Sequence, residues 1–571
     1  MFPTKTELIV QSDHPSPDTL SISTSSRPAR TLLQSWLKTC LVQHSCCAKL
    51  SIGGWTPTRV LDLGSTSSTW KLCIPAVDGV PVPRYTTMSY RWGNSHFLKL
   101  TSDSLEIFRS GLPISDLPQA FQDAISITKD LGIRFIWIDA LCILQDVRDD
   151  FAQECASMSS IYANSSCNIV ATFGKNPHTS IFRTRNHQSF QIGKFINPWK
   201  IHDSRRDVWL ENDSIVKGDH LSKEMLSCEI SSRGWILQEL LLAPRALYFG
   251  MSQVHWVCQV LEACEIWPKG LPNVQTLINP HSYLFRSSNH HQKYDDMNQW
   301  NYIVERYSTL TLSHTEDKLV ALSGLAKFFQ HRTQDEYFWG HWKSALPQSL
   351  NWFKPSGFRH PNSWKAKTGS AAESCGRRSS VYRAPSWSWA SIDGLVGFPK
   401  FGYDNEIVIC NVLEVHANKT GPNPSNRAVE GLLTVRAPWK TVEVFGNKLS
   451  MSGSSSKAPI YPKWDGDFIP DGTEVDLVVT FITCNDFTRH TSEEPFDHSG
   501  RMLCINTLIL LPLKANPGFH MRVGTVSIDS DFQEDLIPRT ELEAFGLNVM
   551  DEDFRNISVA EESSFRTFKL I

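Results

Sequence analysis

From Tyr85 to Cys258, short apolar runs alternate with helix-length amphipathic segments, and this alternation constrains the fold more than any other feature. Tyr85-Thr86-Thr87-Met88-Ser89-Tyr90 is a β-prone run that ends at Trp92-Gly93-Asn94. Asp116-Leu117-Pro118 opens a helix, with Pro tolerated in its first turn. Its core face is Phe121, Ala124, Ile125, Thr128 and Leu131, and Gly132 stops it. Arg134 to Asp139 reads as a buried strand ending on a carboxylate. Asp149 and Asp150 cap a second helix with the stripe Phe151, Cys155, Met158 and Tyr162. Cys167 to Thr172 is a third strand. A long polar insertion follows, about Phe173 to Ile230, with the strand-like pieces Phe190-Gln191-Ile192 and Val208-Trp209-Leu210. A helix then ends at Pro244, and Arg245 to Phe249 and Val254 to Cys258 are two further strands. Strands joined by helix-length crossovers predict an α/β fold, an open, mostly parallel sheet with flanking helices. Ligands in such sheets sit beyond the carboxyl ends of the strands. Ser89 to Trp92, Asp139 and Thr172 lie at those ends.

Around this core, the 571 residues suggest two to four domains. Residues 1–30 are Ser/Thr/Pro-rich and read as disordered. Residues 31–84 form a lead-in, with an amphipathic segment around Leu32, Leu33, Trp36 and Leu37 and strand-like pieces at Thr58–Leu63 and Trp70–Ile74. The α/β domain occupies 85–262. Residues 263–400 are a helical, aromatic-rich extension, with Trp300, Ile303, Val304 and Tyr307 at helical spacing and an aromatic turn segment at Arg383 to Ser391. Asp317-Lys318 and Gly324 read as cap and packing features. Residues 401–571 are β-rich and read as an antiparallel accessory domain, with Gly446 to Lys457 as a loop.

A net charge of −3 gives no basic surface of the kind that nucleic acid or anionic membrane demands. No run of about 18 apolar residues predicts a membrane span, and no apolar stretch near Met1 resembles a secretory signal. An intracellular, cytoplasmic protein is expected. The 14 cysteines then read as buried or free thiols in a reducing compartment. Cys40, His44, Cys46 and Cys47 lie close together, but no second ligand cluster of zinc spacing follows them. Structural thiols are therefore expected and no metal.

The run Ser231 to Leu242 is the most informative single stretch. At about 100° per residue, Ile236, Leu237, Leu240 and Leu241 form an apolar stripe, while Trp235, Gln238, Glu239 and Leu242 fall opposite. Trp235 and Glu239 stand one turn apart, an aromatic platform beside an acid.

Several motifs, in order, resemble the fungal heterokaryon-incompatibility (HET) domain over about residues 85–260. They are Met88-Ser89-Tyr90-Arg91-Trp92-Gly93, Leu117-Pro118 with Asp123-Ala124, Trp137-Ile138-Asp139-Ala140-Leu141-Cys142-Ile143-Leu144-Gln145-Asp146, Met158 with Ile161-Tyr162, and Arg233-Gly234-Trp235 with Gln238-Glu239 and Arg245. Tyr307-Ser308, Asp317-Lys318 with Ala321 to Gly324, and Ala384 to Trp389 resemble the extension such proteins often carry. The resemblance implies a fungal protein of non-self recognition and regulated cell death, with protein partners or self-association. The HET domain is itself similar to the Toll/interleukin receptor (TIR) fold. Ser89-Tyr90-Arg91 is similar to the Ser-Tyr-Arg after a TIR first strand, and Phe135 to Asp139 to the second strand. Trp235 and Glu239 match the spacing of the Trp and catalytic Glu of NAD-cleaving TIR enzymes. Departures are Ile236 where many TIR domains have Cys, a loop at Leu144–Asp149 without Gly, and the long insertion.

This resemblance implies NAD as a substrate, with no bound cofactor required. Glu239 would stabilise oxocarbenium character at the ribose. Trp235 and Trp92 would stack on the base, and Arg91 or Arg233 would meet the phosphates. Asp139 would hold a ribose hydroxyl or orient a neighbour, and Ser89 and Tyr90 would line the pocket. The same residues have plainer readings. Glu239 pairs with Arg245 or Arg233, the tryptophans are core or wall, Asp139 caps a loop, and Ser89 bonds backbone. A non-enzymatic interaction module of the same fold, or a HET-like protein co-opted to specialised metabolism, remains open at this point.

Overall fold

A computed structural model describes residues 20–48, 55–64, 68–185, 201–203, 208–210, 229–270, 292–312, 314–355, 377–379, 381–399, 406–416, 431–446, 448–450, 461–465, 469–489, 498–529, 545, 547–549, 557–559 and 564–571. The chain divides into two compact units, Met1–Arg286 with Val320–Leu325, and Ser287–Leu319 with Ala326–Ile571. The strand-like Phe190-Gln191-Ile192 lies outside the described residues.

The strands of the first unit are β1 (Val60–Asp62), β2 (Thr69–Cys73), β3 (Tyr85–Ser89), β4 (Leu112–Pro113), β5 (Phe135–Trp137), β6 (Cys167–Ala171), β7 (Ile201–Asp203), β8 (Val208–Leu210), β9 (Arg245–Phe249), β10 (Val254–Cys258) and β11 (Glu262–Cys264). Nine of them form one sheet in the order β11-β10-β9-β6-β3-β5-β1-β2-β4, and β7 pairs with β8 apart from it. Its helices are α1 (Arg27–Gln43), α2 (Pro75–Asp78), α3 (Leu105–Ser110), α4 (Gln119–Asp130), α5 (Asp139–Cys142), α6 (Arg148–Ala163) and α7 (Ile236–Leu242).

The expected mostly parallel sheet is corrected. Only β5-β3-β6-β9 run parallel, and every other pairing in the sheet is antiparallel. For the pairs β1–β2, β9–β10 and β10–β11 the reason lies in the connections. A parallel neighbour needs a crossover of about a dozen residues or more, whereas a short link returns the chain antiparallel. The links from β1 to β2 and from β9 through β10 to β11 are short, and the helical crossovers lie between the central strands. β3, β5, β6 and β9 are buried at every position, as strands covered on both faces are.

The lead-in is also more than a packed segment, because β1 and β2 join the same sheet. α1 begins at Arg27, inside the stretch expected to be disordered. Ser26 caps it by accepting from the Ala29 amide at 3.3 Å. Its buried face is Leu33, Trp36, Leu37 and Cys40. α4 keeps its expected face and gives way to Gly132, whose φ of +71° is the left-handed turn that glycine tolerates best. In α6, Cys155, Met158 and Tyr162 are buried with Ile161, while Phe151 at 41% exposure leaves the stripe.

In the second unit, a helix at Gln292–Ser308 buries Trp300, Ile303, Val304 and Tyr307 as their spacing requires. The β-rich region is a sheet pairing 406–408, 474–489, 498–512, 519–529, 565–570, 432–445 and 411–416 in that order. A further pairing of 474–489 with 432–445 closes five of these strands into a ring. One pairing in the ring, 519–529 with 565–570, is parallel. Within the expected loop, Lys448–Ser450 forms a short strand. Trp387 and Trp389 are fully buried and donate to the Gly431 and Gly340 carbonyls, each at 3.0 Å. The buried Arg522 pairs with Asp465, donates to the Leu350 and Trp352 carbonyls, and lies 3.5 Å over the Trp352 ring. Removing one partner of a buried pair strands the other charge. Asp465→Ala is therefore expected to lower the stability of this unit by about 3–5 kcal/mol in chemical denaturation. An unchanged midpoint would mean that the carbonyls alone satisfy Arg522.

Candidate functional site

Strand order reverses at β3, which has β5 on one side and β6 on the other. In doubly wound sheets that reversal opens a crevice outside the carboxyl ends. Ser89 ends β3 at that edge, and Tyr90, Arg91 and Trp92 follow in the loop. Gly93 has a φ of +61°, and a Cβ there would run into the backbone carbonyl of Lys175. The loops after β3 and β6 therefore press together, and only glycine allows it.

α7 enters after β6 and the insertion. Trp235 is its N-cap and is half-buried, and Pro244 follows the helix. All seven helical residues are buried, the leucine stripe and the Gln238–Glu239 face alike. Gly324 packs against this second face, since a Cβ there would lie 2.9 Å from Gln238 Oε1.

Glu239 is 3% exposed and is tied to three other elements. Ser89 Oγ donates to its Oε2 at 2.5 Å, and the Tyr162 hydroxyl of α6 donates to the same oxygen at 3.0 Å. Asn168 of β6 donates to Ser89 Oγ at 3.0 Å and to the Glu239 backbone carbonyl at 3.4 Å. Thr87 Oγ1 in turn donates to Asn168 Oδ1 at 3.2 Å. Burial raises the Glu239 carboxyl above the ordinary glutamate range. The Arg233 guanidinium and the donors Ser89 and Tyr162 pull it back, while the Asp139 charge pushes it up. Burial raises the Tyr162 and Tyr90 hydroxyls as well.

A second group adjoins through Tyr90. Asp139 opens α5, and its carboxylate accepts from the Tyr90 hydroxyl at 2.8 Å, Trp92 Nε1 at 2.7 Å and the Ala140 amide at 2.7 Å. Trp92 meets Phe97 edge to face at 5.6 Å, and Lys99 Nζ lies 4.9 Å from the Trp92 ring centroid. Arg233 donates to the Tyr90 carbonyl. Arg91 is half-buried in the same loop.

Of the residues expected at a site, Ser89 and Glu239 are in direct contact. Tyr90, Trp92 and Asp139 form the adjoining group, and Arg233 reaches it through backbone. Asp139 is the acceptor that joins Tyr90 and Trp92. Arg245 turns elsewhere, donating to Cys40 Sγ at 3.1 Å and to the Ser166 carbonyl at 3.3 Å. Tyr162 reads in the sequence as core and as part of a family motif, and Asn168 as core alone. A lone amide inside the apolar strand Cys167-Asn168-Ile169-Val170-Ala171 was the available signal.

These features define an α/β domain whose switch-point edge is built on a buried carboxyl, its donors and an acid-held tryptophan. Residues 85–239 match the family model described as Heterokaryon incompatibility protein (HET), so the chain carries a HET domain that ends its match on Glu239. Nothing among the curated proteins or the solved structures matches the chain significantly. Among the described residues, no helix is long and apolar enough to cross a membrane.

Tyr162→Phe removes one donor from a buried carboxyl and keeps the ring. It is expected to destabilise the first unit by about 1–3 kcal/mol in urea titration. Its coupling to Ser89→Ala should be non-additive, because both hydroxyls serve one oxygen. Two additive, near-neutral effects would mean that the network carries no stability.

Proposed function

We propose that the chain is an effector of the heterokaryon-incompatibility type, acting in non-self recognition and regulated cell death by cleaving NAD. The observation that carries this reading is the Glu239 carboxyl held by Ser89 and Tyr162 at the switch-point edge. The central strand order, with β3 flanked by β5 and β6, and β9 beyond β6, supports the TIR likeness.

In this reading the nicotinamide–ribose bond breaks and its electron pair goes to the ring nitrogen, which neutralises the pyridinium. Water adds to the ribose carbon and loses a proton, giving nicotinamide and ADP-ribose. Glu239, as carboxylate, stabilises the oxocarbenium character between these events. Trp92, fixed by Asp139, and Trp235, one turn before Glu239, are the aromatic surfaces for the base. Arg91 and Arg233 are the cations for the pyrophosphate. Because Glu239 acts ionised and its carboxyl lies above the ordinary range, turnover falls as pH drops through that raised value.

The burial of Glu239 favours a second reading, in which the network only fixes α7 to the sheet and the domain acts through protein partners or self-association.

Expression in yeast separates the two. Gln keeps an acceptor for Ser89 and Tyr162 but cannot ionise. The first reading expects wild type to deplete NAD and arrest growth, with Glu239→Gln, folded and at equal abundance, sparing both. Growth arrest at normal NAD, unchanged in Glu239→Gln, would establish the second reading and sink the first.

A further inference from the structure

Four side chains outside the Glu239 network converge where α1 meets β10. Cys40 lies in the last turn of α1 and His44 is its C-cap, while Cys47 lies in the short 3-10 turn at Ser45–Ala48. Cys258 ends β10. One ligating atom from each lies within 4.8 Å of all the others. His44 Nδ1 is 3.5 Å from Cys258 Sγ. A tetrahedral zinc ion, with Zn–S of about 2.3 Å and Zn–N of about 2.0–2.1 Å, holds its ligand atoms roughly 3.5–3.8 Å apart. The cluster is thus already near the required spacing. Cys40, Cys47 and Cys258 are buried, and His44 is half-buried.

We propose that Cys40, His44, Cys47 and Cys258 form a structural zinc site that staples α1 to the antiparallel edge of the sheet. The local backbone serves this arrangement. The His44 amide donates to the Cys40 carbonyl and the Cys47 amide to the His44 carbonyl, each at 3.1 Å, so one chain turn presents three ligands. Opposite, the Cys258 amide donates to the Leu261 carbonyl at 2.9 Å and the Leu261 amide donates back to Cys258 Sγ at 3.2 Å. An amide donated to a thiolate is the outer support that metal sites need. Three thiolates and one divalent cation leave one net negative charge. The buried Arg245 guanidinium, donating to Cys40 Sγ at 3.1 Å, offsets it. All four positions are protein ligands, which marks a closed structural site and not a catalytic one. The ion would do for α1 what Trp36 stacked on Trp256, with ring centroids 6.3 Å apart, does only in part.

The neighbouring Cys46 is not in the group and provides the control. The full chain, purified without a histidine tag or chelator, is expected to carry roughly one zinc per molecule by elemental analysis. Cys47→Ser and Cys258→Ser should each lose most of it, and Cys46→Ser should retain it. Wild type reloaded with cobalt should show the visible absorption of a tetrahedral thiolate complex, a readout that does not depend on any variant folding. Folded wild type without zinc or a cobalt spectrum would overturn the site. So would a disulfide joining any two of Cys40, Cys47 and Cys258, or a loss in Cys46→Ser equal to that in Cys258→Ser.

Discussion

Burial of the Glu239 carboxyl is the constraint on which the HET domain turns. A carboxyl removed from water must either be supplied with donors or stay neutral. Here it is supplied by Ser89 from β3 and Tyr162 from α6, and Asn168 of β6 secures both Ser89 and the Glu239 backbone. Helix, crossover and two central strands thus meet on one group. α7 is too short to be stable by itself. Its place depends on this network and on the burial of Leu237, Leu240 and Leu241. A site assembled this way is rigid, because moving any member exposes an unsatisfied polar atom in the interior.

The second group gives the same edge a different character. Asp139 is half-buried, and its carboxylate sets the orientation of Trp92 and Tyr90. An aromatic face at the sheet edge is thereby held in place by a charge-assisted bond. The two acids stand in unlike surroundings, one enclosed and one at the rim. Unlike surroundings are how neighbouring carboxyls take different roles.

Much of this was legible in the sequence, and the gaps have physical causes. Periodicity marked α4, α6, α7 and the central strands because burial imposes it. It could not tell parallel from antiparallel edges, since β1 and β10 are buried throughout, as β3 and β6 are. Their short connections held that information. Helical spacing and family likeness singled out Glu239. Neither showed the bonds that Tyr162 and Asn168 make, because an apolar pattern records where a side chain points and not what its polar atom meets. The cysteine cluster shows the same limit. Cys40, His44 and Cys47 are neighbours in the chain, but Cys258 stands 214 positions from His44, and only the sheet brings it there.

Everything at this edge rests on Glu239 as a buried, donor-held carboxyl raised above the ordinary glutamate range by its burial. Infrared titration of the folded chain against Glu239→Gln measures it directly. A protonated-carboxyl band is expected, absent in Glu239→Gln and shifted by Tyr162→Phe, that persists to higher pH than the bands of exposed glutamates. A difference band that titrates with the exposed glutamates, or below them, and is indifferent to Tyr162 would contradict it.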